Sequence, residues 1–297
     1  MKSKWLKINL LAGTFLLGTM ASGTTMAAEP GALNYPVGSP GTFIGEFPPI
    51  PGLFMISQTS FTTSDAYYDD NGDEIKADDF EMDAWAQTFR FLASYPKKFA
   101  GANLYSQFVV PVVSLDASLS INTPGGAIDI FDDGDDGLGN MTFSPLIMNW
   151  QMKESHQYFT LGVDVIFKEG ASYDADKAVN VGNGYTTIMP VAAYRYDNPE
   201  GLDFGIKANY LVNLENNDTD YDSGDMIAIE SLLGWNFGKW KPTLLVNYTH
   251  QIEKDSIAGV DQDESEYRTM NVGPSITYSN GPIIINLNAQ FGVVAEN

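Results

Sequence analysis

Asp218, Asp220 and Asp222 stand two residues apart, the spacing with which a calcium loop sets out its first carboxylates, and Asp69-Asp70-Asn71-Gly72-Asp73 is a weaker echo. A calcium loop also needs Gly at position six and a bidentate Glu at position twelve. Counted from Asp218, those places hold Ser223 and Ile229, so the frame fails. The three aspartates remain a weak metal candidate, no metal is assigned, and solvated loops loosely bridged by divalent ions explain them better. Catalytic chemistry is scarcer still. The chain has two histidines, His156 and His250, and a barrel lipase would need one of them beside a serine on a lipid-facing patch. Ser231 and His250 are the one such pairing that can be built, and a small outward serine near an interfacial histidine needs no catalytic explanation. The expectation is no enzyme and no catalytic residue. There is no cysteine, no GxxxxGK[ST] loop and no dinucleotide-binding fingerprint, so no cofactor is expected.

A third group of chemically active residues is charged and sits among alternating segments. Asp164, Lys207 and Glu230 fall on the polar faces of their segments, and Arg90 and Arg195 occupy less fixed positions. Lining a channel, such residues tune selectivity. As satisfied ion pairs they would fill an interior, and that structural reading is preferred.

The segments that carry them are strands. Phe159, Leu161, Val163, Val165 and Phe167 share one face, against Thr160, Gly162, Asp164 and Ile166 on the other. The same period of two runs through Leu202–Leu214, Ile227–Phe237, Leu244–Thr249 and Ile283–Val293. Eleven strands are expected, near 53–64, 80–94, 103–119, 140–152, 158–168, 185–196, 202–214, 226–237, 242–253, 267–278 and 283–294. A soluble antiparallel sandwich alternates as well, so the connections decide. Short turns at 95–98, 153–156, 198–201, 238–241 and 279–282 take every second junction. Long acidic connections, at 65–79, 129–136, 215–225 and 255–266, fill the others. That is the pattern of an outer-membrane barrel, with short periplasmic turns and long outside loops. A Greek-key sandwich has no reason to keep it. Tyr194, Tyr196, Phe204, Trp235, Phe237, Tyr267 and Tyr278 lie near strand ends, where interfacial girdles form.

Lys2, Lys4 and Lys7, the apolar run from Ile8 to Met20 and the small residues Thr25-Met26-Ala27-Ala28 read as an export signal, with a mature start at Ala28 or Glu29. Without its three lysines the chain keeps 13 basic residues against 38 acidic ones, a net charge of −25. So acidic a surface excludes nucleic acid as a partner. Residues 29–52 are rich in Pro and Gly and read as an irregular leader. Leu33, Tyr35, Phe43, Phe47 and Leu53 in and beside it need burial somewhere. A lumen plug would provide it, and a mobile periplasmic tail is the equal alternative.

Three stretches then resemble a known family: Gly137-Leu138-Gly139-Asn140-Met141-Thr142-Phe143-Ser144-Pro145, Asn217-Asp218-Thr219-Asp220-Tyr221-Asp222-Ser223-Gly224 and Gly273-Pro274-Ser275-Ile276-Thr277-Tyr278-Ser279-Asn280-Gly281. With Asn34-Tyr35-Pro36-Val37-Gly38 and Pro48-Pro49-Ile50-Pro51-Gly52 they are similar to the proteins called phenol-degradation meta-pathway-like, which include the sphingosine-responsive porin group. The resemblance covers nearly the whole mature chain. It implies a barrel in the outer membrane of a Gram-negative bacterium that admits small hydrophobic or aromatic solutes.

The expected fold class is all-β: a transmembrane antiparallel up-and-down β-barrel of twelve strands when complete, with eleven visible and the last missing. Family members continue into a further strand, whereas this chain stops at Val293-Val294-Ala295-Glu296-Asn297, and an open edge in lipid costs several kcal/mol, roughly, per unpaired backbone group. Pairing by Tyr35–Phe47 is the alternative. The expected division is signal peptide 1–28, leader or plug 29–52 and barrel 53–297, truncated at its end. The expected function is passive uptake of small hydrophobic or aromatic compounds, with outer-membrane lipid and lipopolysaccharide as partners. The alternatives are a non-transporting surface or adhesion barrel and a soluble exported ligand-binding β-sandwich.

Overall fold

The computed structural model describes residues 15–21, 33–66, 68, 71–72, 79–123, 126–263, 265–281 and 283–296. The Asp69-Asp70 pair, Asp73, residues 29–32, and the start and cleavage site of the expected signal lie outside them. Among the described residues the strands are β1 Phe15–Ala21, β2 Gly52–Ser64, β3 Asp79–Phe99, β4 Ala102–Thr123, β5 Gly126–Leu138, β6 Met141–Met152, β7 Gln157–Phe167 and β8 Thr187–Asp197. They continue as β9 Leu202–Asn213, β10 Tyr221–Asp222, β11 Met226–Trp235, β12 Trp240–Gln251, β13 Ser256–Ile257, β14 Val260–Asp261, β15 Arg268–Asn280 and β16 Ile283–Glu296. All eleven expected strands are present.

These eleven pair antiparallel in chain order, β2 through β4, then β6 through β9, β11, β12, β15 and β16. β1 lies between β16 and β2 and runs parallel to both, so the sheet closes on itself. The twelfth place is thus taken by residues 15–21, inside the expected signal, while Tyr35–Phe47 form no ladder. Closure in a single ring excludes the sandwich.

The period of two sorts the side chains by environment. In β7, Phe159, Leu161 and Val163 point outward and are 37–41% exposed, while Thr160, Asp164 and Ile166 point inward and are buried. β9 repeats the pattern, with Leu202, Phe204, Ile206 and Tyr210 outside and Asp203, Asn209 and Leu211 inside. The outer surface is therefore apolar, and the inner one carries asparagine, threonine and glutamine. Water favours neither a naked apolar cylinder nor a sealed polar bore, so this exterior is one that stands in lipid. Near the short-turn end Trp150 and Phe159, Trp235 and Phe237, and Trp240 and Tyr278 meet as ring pairs. Tyr267, at the long-loop end, is buried instead of standing at the outer surface.

The acidic stretch 129–136, expected to be a connection, is a strand instead. β5 pairs with β4 from Val112 to Thr123, and the hairpin extends β4 past the ring at the long-loop end. Asp135 ties it to the 168–186 connection: Lys177 Nζ donates to Oδ1 and the Val181 N–H to Oδ2, both at 3.1 Å. Burial pushes this carboxyl up, but the Val181 amide, Lys177 and Ser172 outweigh burial and hold it below the usual aspartate range. Because its folded value is depressed, the tie is intact above the unfolded value and is lost as pH falls through the folded one.

Two outcomes follow from this architecture. Leu161→Arg, outward at mid-strand, should lower stability by about 2–4 kcal/mol in urea titrations from lipid vesicles. Amide protection at residues 172–181, taken relative to the intrinsic exchange rate, should fall in the parent only as pH drops below the ordinary aspartate value of about 4, and Asp135→Asn should show the lower protection already at neutral pH.

Candidate functional site: the lumen and the segment inside it

Residues 33–51 run down the inside of the barrel from the long-loop end to the short-turn end. Asn34 Nδ2 donates to the Tyr185 carbonyl and Thr187 Oγ1 at the top of β8. At the bottom, the Tyr105 hydroxyl donates to the Pro48 carbonyl at 2.9 Å. Between these points the segment buries apolar side chains in three successive clusters. Tyr35 packs with Ile166, Met189, Leu211 and Met226; Ile44 packs with Ala193, Leu232 and Leu245; Phe47 packs against Leu92, Tyr105 and Ile147. Leu53, expected to need burial with them, instead faces outward at the start of β2. It already belongs to the period of the strand.

Glu230 holds the middle of the segment. Register sets it directly opposite Lys207, and Lys207 Nζ lies 3.1 Å from Oε2. The Tyr35 hydroxyl donates to Oε2 at 2.7 Å, the Gly38 N–H to Oε1 at 2.6 Å, and Asn209 Nδ2 to Oε2 at 3.1 Å. Four donors, two from the wall and two from the segment, match the capacity of a carboxylate. Lys207 also donates to the Tyr35 oxygen, so the three groups form a closed set. Gly38 makes this approach feasible: its φ is +90°, and a Cβ there would come within 2.7 Å of Asn247 Nδ2 and 2.8 Å of Gln290 Oε1.

Arg195 fixes the lower part. Its guanidinium forks onto Asp203 at 2.9 and 2.8 Å, and Nη1 donates to the carbonyls of Thr42 and Ile44. Lys241 reaches the same Asp203 oxygen at 2.8 Å, and Glu46 of the segment lies 3.3 Å from Arg195 Nη1. Arg195 is 1% and Asp203 0% exposed, so the pair is deeply desolvated and kept by its geometry.

The segment's lower end, Phe47 and Pro48, crosses to β3, β4 and β6, and above that point the segment leaves a cavity of about 370 Å³ lined from β2, β3, β4 and β6 on one side and from β7, β8 and β9 on the other. Ile56, Thr88, Val109 and Thr142 line it from the wall, and Tyr35 and Phe47 from the segment. Arg90 and Asp164 both line it as well. Asp164 accepts a hydrogen bond from Ser144. Arg90 Nε donates to Gln107 Oε1 at 2.6 Å, and its guanidinium lies 5.7 Å from the Phe47 ring centre.

Thus all five charged residues singled out in the sequence, Arg90, Asp164, Arg195, Lys207 and Glu230, face the interior. Lys207 and Glu230 are brought together; Arg195 is brought to Asp203, and Arg90 and Asp164 share the cavity. Tyr35, Gly38 and Asp203 were missed as parts of the site. Asp203 could have been suspected, since it stands on the polar face just after a short turn. The other candidates disperse. Asp218, Asp220 and Asp222 are exposed, and among the described residues no three acidic or histidine side chains gather as metal ligands. Ser231 Oγ donates to the Val246 carbonyl, and register puts Ser231 opposite Val246 but His250 opposite Ile227. Four residues of strand separate them, about 13 Å.

Residues 64–297 match the family described as "Putative MetA-pathway of phenol degradation". Among solved structures, an outer membrane channel from Pseudomonas putida F1 is similar in fold, with 17% identity over 87% of this chain and 93% of that one and a TM-score of 0.71. No curated protein matches.

Asp203→Asn should weaken the grip on both Arg195 and Lys241 and cost roughly 3 kcal/mol in urea titration. Cleavage after Glu46 by a glutamate-specific protease should quicken in the same variant, because Arg195 then holds Thr42 and Ile44 less firmly.

Proposed function

Since the chain belongs to the MetA-pathway phenol-degradation family and folds as a barrel with an apolar exterior and a polar bore, we propose that it is a bacterial outer-membrane channel for passive passage of small hydrophobic or aromatic compounds. In this reading residues 33–51 are a plug that narrows the path. The observation that carries it is the cavity between that segment and the β2–β6 wall. A ring of twelve strands encloses more room than its own side chains fill. The inserted segment takes up one side and leaves a slot whose lining mixes Ile56, Val109 and Tyr35 with Thr88, Arg90 and Asp164. Such mixed walls suit a compact apolar solute bearing one polar group. Movement is down a gradient, as the sequence holds no nucleotide-binding loop to couple it to energy.

Residues 1–28 serve as the export signal in this scheme. Their removal would take β1 away and leave β2 and β16 as neighbouring strands of the same direction, and the intact mass of protein from outer membranes reports whether this occurs. The channel reading is tested in planar bilayers and by liposome swelling. The parent should give small unitary currents and admit benzamide; deletion of residues 33–51 should raise conductance by about fivefold or more. A parent that neither conducts nor admits any aromatic solute would favour the non-transporting surface barrel instead.

A further inference from the structure

Among the described cations that line the lumen, Arg90 stands apart. Arg195 and Lys241 share Asp203, and Lys207 has Glu230. No described carboxylate lies within 4.0 Å of Arg90: the charge of Asp164 acts on it from farther off, its Nε is spent on the neutral Gln107, and Phe47 offers only a ring face. A guanidinium set against apolar groups costs free energy unless it is paired, and here its partners are a neutral amide and a weak cation–π contact. Its two terminal nitrogens form a planar fork, the geometry that takes a carboxylate by two parallel hydrogen bonds. The cavity before it is large enough for a small organic molecule and carries aromatic and aliphatic walls from Tyr35, Phe43, Phe47, Ile56 and Ile147.

Resting on the channel reading, we infer that this cavity is a binding site for an apolar monocarboxylate, with Arg90 taking the carboxylate and the leader's aromatic rings taking the body. Two features narrow the class. Asp164 lines the same cavity and repels each negative charge brought into it, so a dicarboxylate is disfavoured more than a monocarboxylate, whose one charge Arg90 offsets. The strongly acidic surface repels anions in bulk, so selection for one must come from a local cation inside the bore. Arg90 sits on β3 opposite Ile56 and Val109, part of the wall rather than of the leader, and its place does not depend on the segment's hydrogen bonds.

The test is titration calorimetry on detergent-solubilised full-length protein with benzoate, its neutral isostere benzamide and its cationic counterpart benzylamine. Benzoate should bind saturably and at least about tenfold more tightly than either counterpart, as expected of one desolvated charge-assisted pair. Arg90→Gln should weaken benzoate at least about tenfold more than it weakens benzamide, so that the preference is lost, and Arg90→Lys should keep part of it. Equal binding of benzoate and benzamide, tighter binding of benzylamine, or benzoate affinity unchanged in Arg90→Gln would overturn the site. Should Arg90→Gln fail to fold, Gln107→Leu, which frees Nε without removing the charge, must retain the preference or the proposal falls. Benzoate binding lost with Arg90 but no liposome uptake of any solute supports the site and overturns the channel reading alone.

Discussion

A carboxylate buried inside a lipid-walled cylinder must have its lone pairs met, and Glu230 meets them only with the leader in place. Lys207 and Asn209 supply two donors from the wall; Tyr35 and Gly38 supply the other two. Left with the wall alone, the carboxylate would need water or an uncompensated desolvation of about 1–3 kcal/mol or more per missing partner. The segment is therefore as much a part of the interior as the strands. Its irregular backbone follows from this role: carbonyls at Thr42, Ile44 and Pro48 stay free of any ladder and are spent on Arg195 and Tyr105.

The ring's width imposes the arrangement. An eight-strand barrel is filled by its own side chains, and wide porins keep an aqueous channel; twelve strands fall between. Here the deficit is made up on one side. The β8–β16 wall presents Asn209, Asn247, Asn286 and Gln290: Gln290 donates to the Gly38 carbonyl of the segment, Asn247 to Gln290, Asn209 to Glu230, and Asn286 to the hydroxyls of Ser275 and Thr277. The β2–β4 wall presents Ser60, Thr62, Thr88 and Val109, shorter groups that leave room. One half of the lumen is thus packed like a core and the other is open, and the charged residues divide accordingly between ion pairs and cavity lining.

Much of the barrel was legible because the physics that builds it is local. A strand with lipid on one face must alternate, and Phe159–Phe167 announces both its period and its orientation. The alternation of turn lengths located the two ends. What escaped depends on contacts across the ring. Nothing in the sequence around Arg195 names Asp203 rather than Asp197 as its forked partner; a short turn and a diagonal reach decide it. Tyr35 reads as one aromatic among Pro and Gly, and its link to Glu230 spans 195 positions. The acidic run at 129–136 looked too charged for a strand, yet as an extension beyond the ring β5 needs no apolar face. Tyr267 lies at a strand end but turns inward, a choice that periodicity alone does not reveal there.

Pro48-Pro49-Ile50-Pro51 joins the inserted segment directly to Gly52, where β2 begins. The occupant of the bore is therefore a tethered ligand of its own receptor, bound at an effective concentration fixed by a span of four residues rather than by supply. Dilution cannot wash it out, and rebinding after any excursion is a unimolecular event. A free peptide of the same sequence would have to compete with a partner that never diffuses away.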